Sequence, residues 1–269
     1  MTFRLTKHHG LGNDFLVLLA PAADLAAVGP DEARRWCDRH RGVGADGLLL
    51  GATDDDRVDL VMTLFNADGS RAEMSGNGIR CLVQAWAARE GKERGSAKVW
   101  TDTGLRVVEF GPGDDQRSIV ASVSMGAATS IGAPAGWIET GIDPMRPCLH
   151  LSMGNPHAVV AVDDVDAVDL LALGAQLPDV NLEVVAPLDG GHGIRLRVHE
   201  RGAGITEACG TGAAASALAA VRWGMAVPDE HGEILVRMDG GDAKVRVQPD
   251  GELVLIGPAT FIASIEIQP

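Results

Sequence analysis

Short runs of apolar or alternating residues, bounded by Gly, Asp and Asn, recur along the chain. The first half carries DGLLLG (46–51), VDLVMTLF (58–65), AKVWTDTG (97–104), LRVVEF (105–110) and SIVASVSMG (118–126). The second half repeats the texture at 149–154, 157–163, 182–187, 194–200, 233–238, 243–248 and 252–257. Runs of this length and composition predict strands. Helices are fewer, over 31–40, 79–90, 166–174 and 212–224. In the second, Ile79, Leu82, Val83, Trp86 and Ala87 take the i, i+3, i+4, i+7, i+8 spacing of one buried face. The fourth is alanine-rich and smooth, which suits close packing on a sheet.

Two phrases match at an offset of 134 positions: FNADGSRAEMSGNGIRC (65–81) and HERGAGITEACGTGAAASA (199–217). SGNG at 75–78 falls on CGTG at 209–212, and Glu73 falls on Glu207. GND (12–14) and GNP (154–156) precede the two phrases at similar separations. These matches indicate a duplicated unit, with a boundary in the Gly- and Pro-rich stretch 111–145. A chain of 269 residues accommodates two such lobes, expected at 1–120 and 121–260.

Composition narrows the function classes. Apolar residues make up 46%, yet no run approaches the roughly 18 apolar residues of a membrane span. The start, MTFRLTKHHGLGNDF, lacks the apolar core of a signal peptide, so a cytoplasmic location is expected. With 23 basic against 37 acidic residues and no basic run, nucleic acid and membrane surfaces are poor partners. The four cysteines have neither CxxC nor His-flanked zinc spacing, so free thiols are expected, with no disulfide framework or metal site.

SGNG and CGTG both open a helix, where free N–H groups and the positive dipole end bind anions such as carboxylate. A thiol there is expected to have a lowered pKa, favouring the thiolate. Read alone, each is also a plain strand-to-helix turn, with Cys209 a small buried residue. Two related helix starts can instead flank one substrate atom from opposite faces. Asn13, Asn66, Asn77, Asn155 and Asn181 mark loops beside strands, and His157 follows in GNPH. Each asparagine alone suits a turn, but their matched placement points to substrate recognition. Glu200 and Arg201 in ERGAG form either a surface ion pair or a grip on the ammonium and carboxylate of an amino acid. Cys81, about 600° of helical rotation beyond Ser75, points to the core. Cys37 and Cys148 have no partner context.

At these residues the chain resembles the diaminopimelate epimerase family. The likeness is collinear over nearly the whole length: GLGNDF, CDRHRGVGADGLLL, FNADGS, SGNG, SMGNPHAVV, VN at 180–181, ERGAG and ACGTGA. It implies an α+β fold of two pseudo-symmetric lobes, each a mostly antiparallel sheet wrapped around a central helix. The active site of that family lies between the lobes, homodimers are common, and 261–269 is expected to return to the first lobe. The implied reaction is interconversion of LL- and meso-diaminopimelate in lysine and peptidoglycan precursor synthesis. A thiolate–thiol pair of cysteines performs it without pyridoxal phosphate or metal.

Carried over by position, the resemblance makes Cys209 the second catalytic cysteine. Gly76, Asn77, Gly210 and Thr211 surround the reacting carboxylate, and His157 and Glu200 lie near the reacting amino group. Asn13, Asn66, Asn155, Asn181 and Arg201 recognise the substrate. Two departures stand out: Gly47 replaces a usual glutamine, and Ser75 replaces the first catalytic cysteine. A serine hydroxyl supplies no resting base at neutral pH, so epimerisation is expected to be strongly reduced. Ser75 is then an engineered change, a natural variant that works slowly or by a relayed proton, or a sign of altered chemistry. In related proline and hydroxyproline enzymes a hydroxyl residue here accompanies dehydration. A proline-type racemase or dehydratase therefore stays open, although Asn66, Asn181 and Arg201 argue against it. So does a binding protein of the same fold that has lost its first base.

Overall fold

The computed structural model describes residues 2–268. Its first elements are β1 (Phe3–Gly10), β2 (Asn13–Ala20), α1 (Ala22–Leu25), α2 (Pro30–Cys37), β3 (Gly47–Ala52), β4 (Leu60–Asn66) and β5 (Arg71–Ala72). There follow α3 (Gly76–Arg89), β6 (Gly95–Thr101), β7 (Gly104–Pro112), β8 (Ser118–Ala127) and β9 (Thr129–Ser130). Then come β10 (Cys148–Ser152), β11 (Pro156–Ala161), α4 (Leu170–Ala175), β12 (Asn181–Pro187), β13 (Gly193–Glu200) and β14 (Gly204–Thr206). The chain ends with α5 (Gly210–Arg222), β15 (Glu233–Met238), β16 (Gly241–Val247) and β17 (Glu252–Ile267). It divides into two units, Met1–Val123 with Gly257–Pro269, and Ser124–Ile256.

Each unit repeats one pairing scheme. In the first, β1–β2, β3–β4, β4–β5, β6–β7 and β7–β8 are antiparallel, while β2–β3 and β4–β6 are parallel. In the second, β10–β11, β12–β13, β13–β14, β15–β16 and β16–β17 are antiparallel, while β11–β12 and β13–β15 are parallel. The parallel steps fall at the same two places, so the duplication in the sequence is a duplication of topology, and the fold is α+β.

The longest helix of each unit packs across its strands. In α3, every residue from Gly76 to Ala87 is buried, and the helix packs on β1, β2, β3 and β4. Helix α5 packs on β10, β11, β12, β13, β15 and β16; its Gly and Ala residues leave little side chain to hold those strands off. Among the described residues no helix is long and apolar enough to cross a membrane.

Strand β2 explains one omission of the sequence reading. NDFLVLLA has no alternation because both faces are covered: Leu16 and Leu18 join the core that holds Trp36 and Leu48, while Phe15 and Val17 are buried on the other face. Helices α3 and α5 begin before 79 and 212 because Ser75 and Cys209 cap them, each side chain accepting the N–H three residues on. Helix α2 stops at Cys37, and α4 starts at Leu170, capped by Asp169.

His8 on β1 ties the sheet to α3. Its Nδ1 lies 2.8 Å from Gln84 Oε1, and Nε2 is buried without a partner among the described residues. Gln84 gives its own amide hydrogen to the Arg117 carbonyl, so Nδ1 carries the proton and Nε2 is bare. Burial is the main cause that lowers the His8 pKa from 6.5 to about 4. The unfolded chain therefore binds a proton that the folded chain refuses between pH 6.5 and 4. Stability is expected to fall by about 1.4 kcal/mol per pH unit through that window. Chemical denaturation across this range measures it, and a His8→Gln variant should lose the slope.

Candidate active site

In the first unit, Ser75 stands at the N-cap of α3 with extended backbone (φ −141°, ψ 123°) and accepts the Gly78 N–H at 3.0 Å. Two positions on, Asn77 gives an amide hydrogen to Asn13 Oδ1 at 3.2 Å, and Asn13 gives one to Asp46 at 2.8 Å. Fully buried Arg80 donates to Asn77 Oδ1 at 2.7 Å. An arginine only donates and an ionised carboxylate only accepts, so the two ends of this chain fix the orientation of both amides between them. Asp46 is in turn held by Arg39, which also binds Asp14.

In the second unit, Cys209 stands at the N-cap of α5 with nearly the same backbone (φ −122°, ψ 114°). Its sulfur accepts the Gly212 N–H at 3.4 Å and lies 3.5 Å from the Thr211 hydroxyl. Thr211 takes an amide hydrogen from Asn155 at 3.4 Å, and Asn155 Oδ1 lies 3.0 Å from His157 Nε2. His157 Nδ1 meets Glu183 at 2.6 Å, with both side chains wholly buried. Asn13 and Asn155 thus play one part in the two units, each bound to the residue two places beyond the N-cap.

Asn181 is buried at the start of β12; its amide donates to the Pro156 carbonyl at 3.1 Å and accepts the Arg201 N–H at 2.9 Å. It pairs with His157 as Gly47 pairs with Phe15, so Gly47 is its counterpart. A Cβ at Gly47 would lie 2.8 Å from the Phe65 carbonyl oxygen, so the first unit has no room there for a matching amide. Glu200 accepts the Thr206 hydroxyl at 2.5 Å and does not pair with Arg201. The Arg201 side chain is exposed, with no bond to another described residue. Asn66, at the end of β4, gives its amide hydrogen to Ser70 of its own turn. Cys37 and Cys81 are buried, with thiols pushed up to about 12 mainly by burial; Cys148 is exposed.

The expected acidic thiol at the helix start is corrected. Burial above all, then the Glu200 and Glu183 carboxylates, push the Cys209 thiol well above its ordinary range. The Thr211 and Gly212 hydrogen bonds act the other way and are outweighed. Cys209 therefore rests as a thiol, a proton donor. Glu183 itself was missed in the sequence, where NLEVVAP reads as an ordinary strand. The one available signal was an acidic residue in a run that is buried at every position except its last.

Two units of matching strand topology, each carrying a helix that opens on a capped glycine turn, define a duplicated α+β protein. The chain belongs to the diaminopimelate epimerase family, whose sequence profile matches residues 5–131 and 149–262. The diaminopimelate epimerase of Thermosynechococcus vestitus is 38% identical, over 98% of this chain and 99% of that one. Among solved structures, a predicted epimerase of Pseudomonas aeruginosa superposes with a TM-score of 0.76 at 16% identity, covering 99% of both chains. A hydroxyproline epimerase of Agrobacterium vitis, with bound trans-4-hydroxy-L-proline, gives 0.68 at 15% identity, covering 99% of this chain and 91% of that one. At such identities these two show a shared fold.

Proposed function

We propose that this protein is a cofactor-independent epimerase that interconverts LL- and meso-diaminopimelate by proton transfer at one α-carbon. The observation that carries the reading is the Cys209 cap: a thiol at the start of α5, bonded to an N–H and a hydroxyl, on a chain of this family. Free N–H groups of such a terminus suit a carboxylate, and they stabilise the charge that develops on it as the α-proton leaves.

In this reading Cys209 gives its proton to the α-carbon: the S–H bond breaks, a C–H bond forms, and a thiolate remains. The opposite step needs a base that takes the α-proton, and Ser75 occupies that role. Its hydroxyl can accept the proton only after losing its own, so this half of the cycle is slow. Gly76, Asn77, Gly210 and Thr211 serve the reacting carboxylate, and His157 and Glu200 the reacting amino group. Asn13, Asn66, Asn155, Asn181 and Arg201 complete substrate recognition. A homodimer acting in the cytoplasm, in lysine and peptidoglycan precursor synthesis, belongs to the same proposal. The exposed, unengaged Arg201 and the paired Asn181 favour an amino-acid substrate with a distal charged end over a proline-like one.

The test is proton NMR in deuterated buffer with LL- and meso-diaminopimelate, following α-deuterium uptake and configuration together. Exchange with slow inversion is the expected result. Binding without exchange of either isomer would sink the epimerase reading in favour of a binding protein. Turnover of proline-like substrates in its place would hand the chain to the racemase class.

A further inference from the structure

Behind the two helix starts the units differ. Across β2 and β3, Phe15, Gly47 and Leu49 occupy the register positions that His157, Asn181 and Glu183 occupy across β11 and β12. A Cβ built on Gly78 would lie 3.3 Å from Ser75 Oγ and 3.4 Å from Leu49 Cδ2. One built on Gly212 would lie 3.3 Å from Cys209 Sγ and 2.7 Å from Glu183 Oε1. A single methyl group would touch both the sulfur and the carboxylate. The serine thus has a leucine behind it, and the cysteine a carboxylate.

A wholly buried carboxylate is costly to a fold. Glu183 Oε2 has no partner among the described residues, and desolvation pushes the group's pKa up. Leu49 shows that the same scaffold closes around an apolar side chain at this place. The acid is therefore not what holds the strand, and its one strong contact leads toward the sulfur. Asn155 gives its amide hydrogen to Thr211, so its carbonyl takes the Nε2–H of His157, and Nδ1 shares a proton with Glu183. Thr211 Oγ1 already accepts from Asn155, which leaves its own hydrogen for Cys209 Sγ.

We propose that Glu183 is a positioning residue for the Cys209 thiol, acting through His157, Asn155 and the Thr211 hydroxyl to hold a hydrogen-bond donor against the sulfur. The inference deepens the epimerase reading and rests on it for the role of Cys209. The charged groups acting on this sulfur are Glu200 at the end of β13 and Glu183 on β12, with His157 on β11 bound to the latter. The remaining strands on α5 bring His150, set edge-on to Trp137, Glu233, held by Lys244 and Arg246, and the Arg237–Asp242 pair.

The test uses the full chain as Glu183→Gln, as Glu183→Leu, and as Glu183→Leu with His157→Phe, which copies the apolar pair of the first unit. Iodoacetamide labelling of Cys209, mapped by peptide mass spectrometry from neutral to alkaline pH, reads the thiol without any substrate. Glu183→Gln removes the charge and keeps a hydrogen bond to Nδ1, so the labelling midpoint should move to lower pH. Both leucine variants should lose about tenfold or more in kcat for α-deuterium exchange with KM little changed, the pattern of a lost orienting carboxylate. With the charge gone in both, the leucine variants should label at higher pH than Glu183→Gln, because the Thr211 hydrogen is no longer held on the sulfur. Equal midpoints in Glu183→Gln and Glu183→Leu, or unchanged kcat in a folded leucine variant, overturn the proposal. If the leucine variants fail to fold, His157→Phe, which breaks the relay and leaves the carboxylate, takes their place, with a midpoint expected above the parent's. A parent that exchanges no α-hydrogen, with midpoints ordered as stated, refutes the epimerase reading and sustains the positioning of the thiol.

Discussion

Replacing Ser75 by cysteine is expected to raise the rate of epimerisation by about a hundredfold to ten thousandfold, the range over which a well-placed acid–base group acts. The site is already shaped for sulfur. Ser75 and Cys209 share an extended N-cap backbone and accept the same N–H three residues on, at 3.0 Å and 3.4 Å. The environment also favours division of labour. Glu200 and Glu183 help to hold the Cys209 thiol protonated, whereas the side chain behind Ser75 is Leu49. A thiol at position 75 has no such carboxylate behind it and ionises more readily, giving the base that the proposed reaction requires. Initial rates of LL-to-meso conversion for Ser75→Cys against the parent measure the effect. An equal rate in a folded variant would count heavily against two-sided proton transfer.

Loss of the sulfur on the other side has the opposite sign. Cys209→Ala is expected to lower α-deuterium uptake from either isomer by about a hundredfold to ten thousandfold, with binding of diaminopimelate by calorimetry largely kept. The cap contributes to folding too: removing the Gly212 N–H acceptor costs roughly 1 kcal/mol. Cys209→Ser, which keeps an acceptor, separates that loss from the chemistry. In the parent, the part of the exchange that needs a Cys209 thiolate should increase as pH rises from neutral, because the thiol is pushed well above its ordinary range. Exchange that persists undiminished in Cys209→Ala would remove this residue from the reaction.

Much of the architecture was legible because the duplication is written in the chain. The SGNG and CGTG turns located both helix starts, and Asn13 and Asn155 marked matching positions in both units. What the sequence hid follows from burial. Strand β2 has no alternation because both of its faces are covered, and β12 conceals Glu183 for the same reason. A helix start can be read as electropositive from its glycines, but the carboxylates that outweigh it at Cys209 come from strands β12 and β13. Arg80 is similar: nothing in GNGIRC says that its guanidinium lies wholly buried and orients Asn77. The place of Gly47 became interpretable only when register made it the counterpart of Asn181.

The order of synthesis carries a consequence of the last strand. β17 leaves the second unit at Ile256 and pairs antiparallel with β1, from Phe3 opposite Ile267 to His9 opposite Thr260. The same stretch gives Arg80 the Pro258 carbonyl. On the ribosome, the unit that emerges first is therefore closed last. Its opening strand keeps a bare edge, and its buried arginine has Asn77 but not the Pro258 carbonyl, while the whole second unit is translated. A nascent chain arrested after Ile256 holds every strand of the second unit but not the one that seals the first, which makes the N-terminal unit the part most in need of protection during translation.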